Sequence, residues 1–258
     1  MNDLRTKRIA VINGGNSAEA DVSRSSATGV ITALQVNFDS VTRIELDNNI
    51  AAALTACQPD VVFPILHGPP GEDGTLQGFL EILGYPYVGS GVHGSAFAMD
   101  KIVAKQAFRE AGLPTIDQCV VTRAGGTAKA VATIKKILGN YVVVKPACQG
   151  SAVGVTIVEN DNQLHAGVEA AFHYDSRLLV ERRIDGKEIT VGVIDTDSGT
   201  EAFPVIDVVT PENAWYDFEH RYTPGLSTHV IPADLPPQQT QRLQEIAIQA
   251  HQALGCRD

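Results

Sequence analysis

Residues 8–19 read Arg8-Ile9-Ala10-Val11-Ile12-Asn13-Gly14-Gly15-Asn16-Ser17-Ala18-Glu19, an unbroken apolar stretch that runs into a turn of small residues. A strand that is apolar at successive positions is covered on both faces, as in a parallel sheet. Outward from it, 21–35 reads as helix, 41–46 as strand, 50–57 as short helix and 59–66 as a third strand. Strand alternating with helix predicts parallel α/β packing. In such sheets ligands bind beyond the carboxyl ends of the strands. The glycine-bearing segments 14–19 and 67–74 fall at two of those ends.

The pattern changes after Gly89. A helix is predicted over 95–111, broken by Gly112-Leu113-Pro114, and another over 127–138. Strand 141–145, a small-residue loop at 149–154, strand 155–158, helix 161–172 and strand 178–182 follow. Segments 188–194 and 200–209 read as an antiparallel pair joined near Asp197-Ser198-Gly199, and 236–254 as the last helix. This part is α+β. The expected division is 1–97, 98–184 and 185–258.

Composition narrows the function classes. Twenty Lys and Arg against thirty Asp and Glu leave a charge of −10 over 258 residues. Such a surface repels phosphate backbones, so broad nucleic-acid binding is not expected, whereas a local cationic nucleotide site is allowed. Cys57, Cys119, Cys148 and Cys256 form no CxxC pair, which predicts four buried, reduced thiols, neither a zinc cage nor a disulfide framework. No apolar run approaches the roughly 20 residues of a membrane helix, and the apolar stretch at 9–12 is too short for a signal sequence. A soluble cytoplasmic protein without membrane partners is the expectation.

Gly89-Ser90-Gly91-Val92-His93-Gly94 matches GxGxxG, but a dinucleotide fingerprint belongs in the first βα turn with an acidic residue about 20 positions on. Here it comes late, and the segment after its helix is Leu113-Pro114-Thr115, not a second strand closed by an acid. Lys145 at a strand end, followed by the loop Gln149-Gly150-Ser151-Ala152-Val153-Gly154, is more informative. Backbone N–H groups of such a loop approach phosphate oxygens closely and the ammonium adds a point charge. A snorkelling lysine before a hairpin turn accounts for the same residues. Glu181 ends a strand and Glu188 follows seven residues later; near a nucleotide pocket two carboxylates accept from an adenine amino group and ribose hydroxyls, and otherwise they are two exposed acids.

Taken in order, these segments resemble the D-alanine–D-alanine ligases of the ATP-grasp superfamily. Residues 14–23, Gly14-Gly15-Asn16-Ser17-Ala18-Glu19-Ala20-Asp21-Val22-Ser23, are similar to that family's GGxSxExxVS. His67-Gly68-Pro69-Pro70-Gly71-Glu72-Asp73-Gly74-Thr75-Leu76-Gln77-Gly78 resembles its HGxxGEDGxxQG. Tyr87-Val88-Gly89-Ser90-Gly91, Ala98-Met99-Asp100-Lys101, Val144-Lys145-Pro146, Gly150-Ser151, Glu181 through Glu188 and Tyr216 through Tyr222 follow across nearly the whole chain.

The resemblance implies an N-terminal parallel α/β domain followed by an ATP-grasp fold. It also implies a reaction: ATP phosphorylates one D-alanine carboxylate and the amine of a second D-alanine attacks the acyl phosphate. Such phosphoryl transfer relies on positioning and charge neutralisation. By the same resemblance Lys101 and Lys145 contact ATP phosphates, as does Arg221 where a lysine is usual. Glu181 and the Ile184 backbone contact adenine, and Glu188 the ribose. Glu19 holds the first D-alanine's ammonium with His67 nearby. Glu19, Ser151 and Tyr222 form a hydrogen-bonded set that positions substrates and closes the loop carrying Tyr222. A homodimer is also implied.

Several positions depart from the pattern. Pro69-Pro70 replaces a pair whose second member is usually glycine, and Ala147 and Gln149 stand where serine and glutamate are common. Arg221 keeps the charge of the usual lysine but presents a planar fork. The sequence stops at Asp258, before the family's Mg²⁺ carboxylates and a further arginine, so the resemblance implies an incomplete last subdomain with no metal ligands of its own. Two alternatives to the ligase reading stay open. One is a catalytically impaired chain that binds ATP or D-alanine, and the other an ATP-grasp ligase for a different amino or hydroxy acid.

Overall fold

β1 (Arg8–Asn13) is the middle strand of a parallel sheet, paired along both edges and covered on both faces. The computed structural model describes residues 4–212 and 214–257. Ala10 and Ile12 point to one side, against Leu54, Val62 and Leu80, while Ile9 and Val11 point to the other, against Ala27. α1 (Ala20–Leu34), β2 (Ser40–Glu45), α2 (Ile50–Cys57), β3 (Val61–Pro64) and α3 (Thr75–Leu83) complete this layered arrangement, with strand order β2-β1-β3. α4 (Val92–Met99) follows. The GxGxxG match has a packing explanation: a Cβ on Gly94 would stand 2.6 Å from the Gly255 carbonyl oxygen. The first unit comprises Met1–Ala96 with Gly255–Asp258, and the second Phe97–Leu254.

Ser23 shows why a hydroxyl belongs in the first motif. It is fully buried in α1, where its Oγ accepts from Gly14 N–H at 2.8 Å and donates to the Ile65 carbonyl. One side chain thus ties the glycine turn to the segment after β3. Ser23→Ala leaves both backbone groups unpaired, and the expected cost is about 2–3 kcal/mol, read from urea unfolding. A loss below about 0.5 kcal/mol would mean that other partners replace the hydroxyl.

The second unit starts with α5 (Lys101–Glu110), β4 (Gln118–Thr122), α6 (Thr127–Ile137), β5 (Val142–Pro146), β6 (Thr156–Val158), α7 (Asp161–Tyr174) and β7 (Arg177–Arg182). Among the described residues these strands form an antiparallel sheet of order β4-β7-β5-β6. Val142, Val144, Leu178 and Val180 face one core with Ile134, Leu164 and Val168. Side chains alternate across a strand, so Val143, Lys145 and Glu181 share the opposite face. There follow β8 (Glu188–Thr190), β9 (Val193–Thr196), β10 (Gly199–Ala202), β11 (Ile206–Val209), α8 (Phe218–Tyr222), β12 (Thr228–Val230) and α9 (Pro237–Leu254).

Three expectations are corrected. The helix predicted over 95–111 is two, because Asp100 takes an extended conformation and caps α5 through its own side chain. The predicted pairing of 188–194 with 200–209 is divided between two sheets. β9 pairs with β10, whereas β8 and β12 flank β11. The four cysteines are free thiols, but Cys119 alone of them is buried and the others are partly exposed. α3 and β4 were not expected from the sequence.

Candidate active site

In the second unit the sheet's open face gathers cations around one acid. Glu181 is 4% exposed. Its Oε1 pairs with Lys105 Nζ and its Oε2 with Lys145 Nζ. The register explains the second contact: Val143 stands opposite Glu181 across β5 and β7, which brings Lys145, two residues on, within diagonal reach. Burial by itself would raise the Glu181 carboxyl, but the Lys145 and Lys105 ammoniums outweigh it and hold it below its ordinary value. Lys101 Nζ donates to the Gln149 carbonyl, and burial together with the Lys145 charge lowers its pKa.

Lys105 was missed in the sequence. It lies one helical turn after Lys101, on the same face of α5, and that i,i+4 spacing was the available signal.

The loop after Lys145 is held in an uncommon conformation. Ser151 and Ala152 have φ of 45° and 62°, and Gly154 has 70°. Left-handed residues in a turn swing N–H groups to a common side, the arrangement of anion-binding concavities. Gly154 is required there, since a Cβ would stand 2.7 Å from both Pro146 Cγ and Tyr174 Cδ2. Ser151 Oγ lies 2.6 Å from Tyr222 OH, so the structure brings these two predicted residues together.

Beyond the lysines is a cleft of about 700 Å³, lined by Val143, Ile157, Ile184, Lys187, Glu188 and Trp215 among others. Arg221 stacks on the Tyr216 ring at 4.2 Å, and its Nη2 lies 3.9 Å from Glu188 Oε1. Desolvation raises the Glu188 carboxyl, with Arg221 and Lys145 opposing. Burial, with Asp100 and Asp175 nearby, pushes the Cys148 thiol up to about 11, so it stays protonated and unreactive.

Glu19 and His67 are in the first unit. Glu19 precedes α1 and is 4% exposed. The loop after His67 is sewn to itself: Glu72 Oε2 accepts from Gly68 N–H at 2.7 Å, and Gly71 N–H donates to the Gly68 carbonyl at 2.9 Å. A Cβ on Gly68 would approach Glu19 Oε2 to 3.2 Å, so glycine gives this carboxylate its room. His67 Nε2 lies 3.5 Å from Ser26 Oγ.

Asp207 and Asp217 are carboxylates already committed to partners within the chain. Asp207 is paired with Lys187 Nζ at 3.0 Å, and Asp217 caps α8 and pairs with His220 Nδ1 at 2.6 Å. Among the described residues no three His, Cys, Asp or Glu side chains cluster as metal ligands. Mg²⁺ takes octahedral oxygens, usually one or two carboxylates with phosphates and water, and Asp207 and Asp217 are already engaged by Lys187 and His220. Nor is any helix among them long and apolar enough to cross a membrane.

Residues 107–258 match the family model described as "D-ala D-ala ligase C-terminus", and 43–90 match "D-ala D-ala ligase N-terminus". A D-alanine–D-alanine ligase of Halalkalibacterium halodurans is 42% identical over 96% of this chain and 80% of its own length. The chain belongs to the D-alanine–D-alanine ligase family. The D-alanine–D-alanine ligase of Bacillus anthracis superposes with TM-score 0.81 at 32% identity, covering 98% of this chain and 80% of that one. Its ATP complex superposes with TM-score 0.78 at 30% identity, covering 98% and 79%. D-alanine–D-alanine ligases are ATP-dependent carboxylate–amine ligases of ATP-grasp fold that make a dipeptide for peptidoglycan precursors.

Proposed function

We propose that this chain performs the family's reaction with the residues described above, joining two D-alanines through an acyl phosphate at the expense of ATP. The observation that carries the reading is the convergence of Lys101, Lys105 and Lys145 on one face beside the cleft at Ile184 and Glu188. In this reading adenine enters the cleft, with the Ile184 backbone and Glu181 as hydrogen-bond partners and Glu188 on the ribose. The triphosphate lies along Lys145, Lys101 and the 149–154 loop, and Arg221 neutralises the transferring phosphate. Charge neutralisation in a water-poor site is what phosphoryl transfer requires.

Glu19 would bind the ammonium of the first D-alanine beside His67, and join Ser151 and Tyr222 in positioning both substrates. Movement of the segment carrying Tyr222 would exclude water, which otherwise hydrolyses the acyl phosphate. Residues 98–184 and 185–258 are then the two ATP-grasp subdomains, with the cleft between their sheets. Family membership also supports a cytoplasmic location, a homodimer and Mg²⁺ with the nucleotide, although the described carboxylates do not account for the metal.

The test is D-alanine-dependent phosphate release from Mg·ATP. Release that requires D-alanine is the expected result, and release indifferent to it would contradict the assignment. Glu19→Gln removes a charge-assisted contact and should weaken D-alanine about 10- to 100-fold while moving ATP less than about twofold. Equal losses for both would remove Glu19 from the D-alanine site.

A further inference from the structure

Lys101 opens α5, and a ring of contacts fixes where it stands. Asp100 Oδ1 accepts from the N–H groups of Ile102 at 3.0 Å and Val103 at 3.3 Å, capping the helix. Its Oδ2 accepts from Arg177 Nη2 at 2.6 Å. Arg177 opens β7, and its carbonyl accepts from Ala147 N–H at 3.1 Å. The Ala147 carbonyl accepts in turn from Lys101 N–H at 3.0 Å. Asp175 joins from the other side: its Oδ2 accepts from Cys148 N–H and its Oδ1 from Arg177 N–H, both at 3.0 Å. The first turn of α5, the root of the 149–154 loop and the start of β7 are therefore closed into one ring.

The Arg177 side chain is 42% exposed, and an ion pair so open to water adds little to stability. Its geometric effect is larger. The cap sets the direction of the first turn of α5, and the guanidinium holds the cap against the start of β7, to which the loop root is hydrogen-bonded through Ala147.

We infer that Asp100 and Arg177 are positioning residues for nucleotide phosphates, holding the Lys101 ammonium and the 149–154 loop in register through the Oδ2···Nη2 contact. The inference rests on the ATP reading of the second unit and names residues that reading does not use. Ile184 and Glu188 stand on a different segment, and Glu181 is held within the sheet by its register with Val143, so the larger effect falls on the phosphates and the smaller on the nucleoside.

Arg177→Met keeps the aliphatic stem and removes the fork. Binding of a non-hydrolysable ATP analogue and of adenosine to the full chain is measured by calorimetry, beside thermal melting. The Kd of the analogue should rise about tenfold, with adenosine moving less than twofold and Tm within about 2 °C. Arg177→Lys should recover part of the loss. Asp100→Asn, which retains a capping oxygen, should weaken the analogue similarly and add little to Arg177→Met. Equal weakening of analogue and adenosine, or unchanged analogue affinity in a folded variant, overturns the inference.

Should Arg177→Met not fold, Arg177→Lys and Asp100→Asn carry the same comparison. A wild-type chain that binds adenosine as tightly as the analogue overturns the inference and leaves the nucleoside cleft standing. One that binds neither overturns the ATP reading, and the inference with it.

Discussion

Glu181→Ala is expected to destabilise the second unit by about 3–5 kcal/mol and to abolish tight ATP binding. The carboxylate side chain is 5% exposed and lies between Lys105 and Lys145, which are 18% and 28% exposed. Removing it leaves two ammoniums facing each other in a poorly solvated place, and breaking a buried pair costs more than the pair ever contributed. Urea unfolding measures the loss. A change below about 1 kcal/mol would mean that the lysines turn into water unaided, which their burial argues against. Folding lowers the Glu181 pKa, so the folded state releases this proton more readily than the unfolded chain does. Its stabilising contribution is therefore complete above the ordinary carboxylate range, about 4.3, and is lost as pH falls through the depressed folded value. In Glu181→Gln that part of the acid sensitivity should vanish, so the difference in stability between wild type and variant narrows on acidification.

Gly71→Ala is the other large effect. A Cβ there would stand 2.2 Å from Leu66 Cβ and 3.1 Å from Leu66 Cδ1. Leu66 belongs to the core around Ile12 and Leu80, so it has little room to retreat. The backbone at 71 must move instead, and it carries two further contacts: Gly71 N–H on the Gly68 carbonyl and the Gly71 carbonyl on Gln77 Nε2 at 2.8 Å. Overpacking of this kind costs about 1–3 kcal/mol, and the lost hydrogen bonds about 1 kcal/mol each. The same displacement carries His67 and Gly68 with it, so D-alanine binding should fall together with Tm. A folded variant of unchanged D-alanine affinity would separate this loop from the substrate site.

The contrast between these two sites shows what a sequence exposes. The glycines and acids of 67–78 are legible because a turn and its partners are close in sequence. The division of 95–111 was hidden because apolar spacing runs on through Asp100, and the cap depends on one side chain's choice of partner. The antiparallel pairing of 188–194 with 200–209 is legible, but its division into two sheets is not, because composition does not say where a strand breaks. Lys105 stood one turn from Lys101, yet a lysine on a helix face is ordinarily solvated, and nothing local says that a buried carboxylate waits opposite it.

Local chemistry by itself determined the buried first strand, the glycine turn after it, the helix–strand alternation and the loop of small residues after Lys145. These depend on side-chain periodicity and backbone freedom within a few residues. Tertiary structure alone decided that Glu181 takes two ammoniums and that Arg177 reaches Asp100. Each of those contacts joins residues 36 to 77 positions apart, or crosses from helix to sheet. Strand register and helix packing set such distances, and both are properties of the assembled core, not of any segment within it.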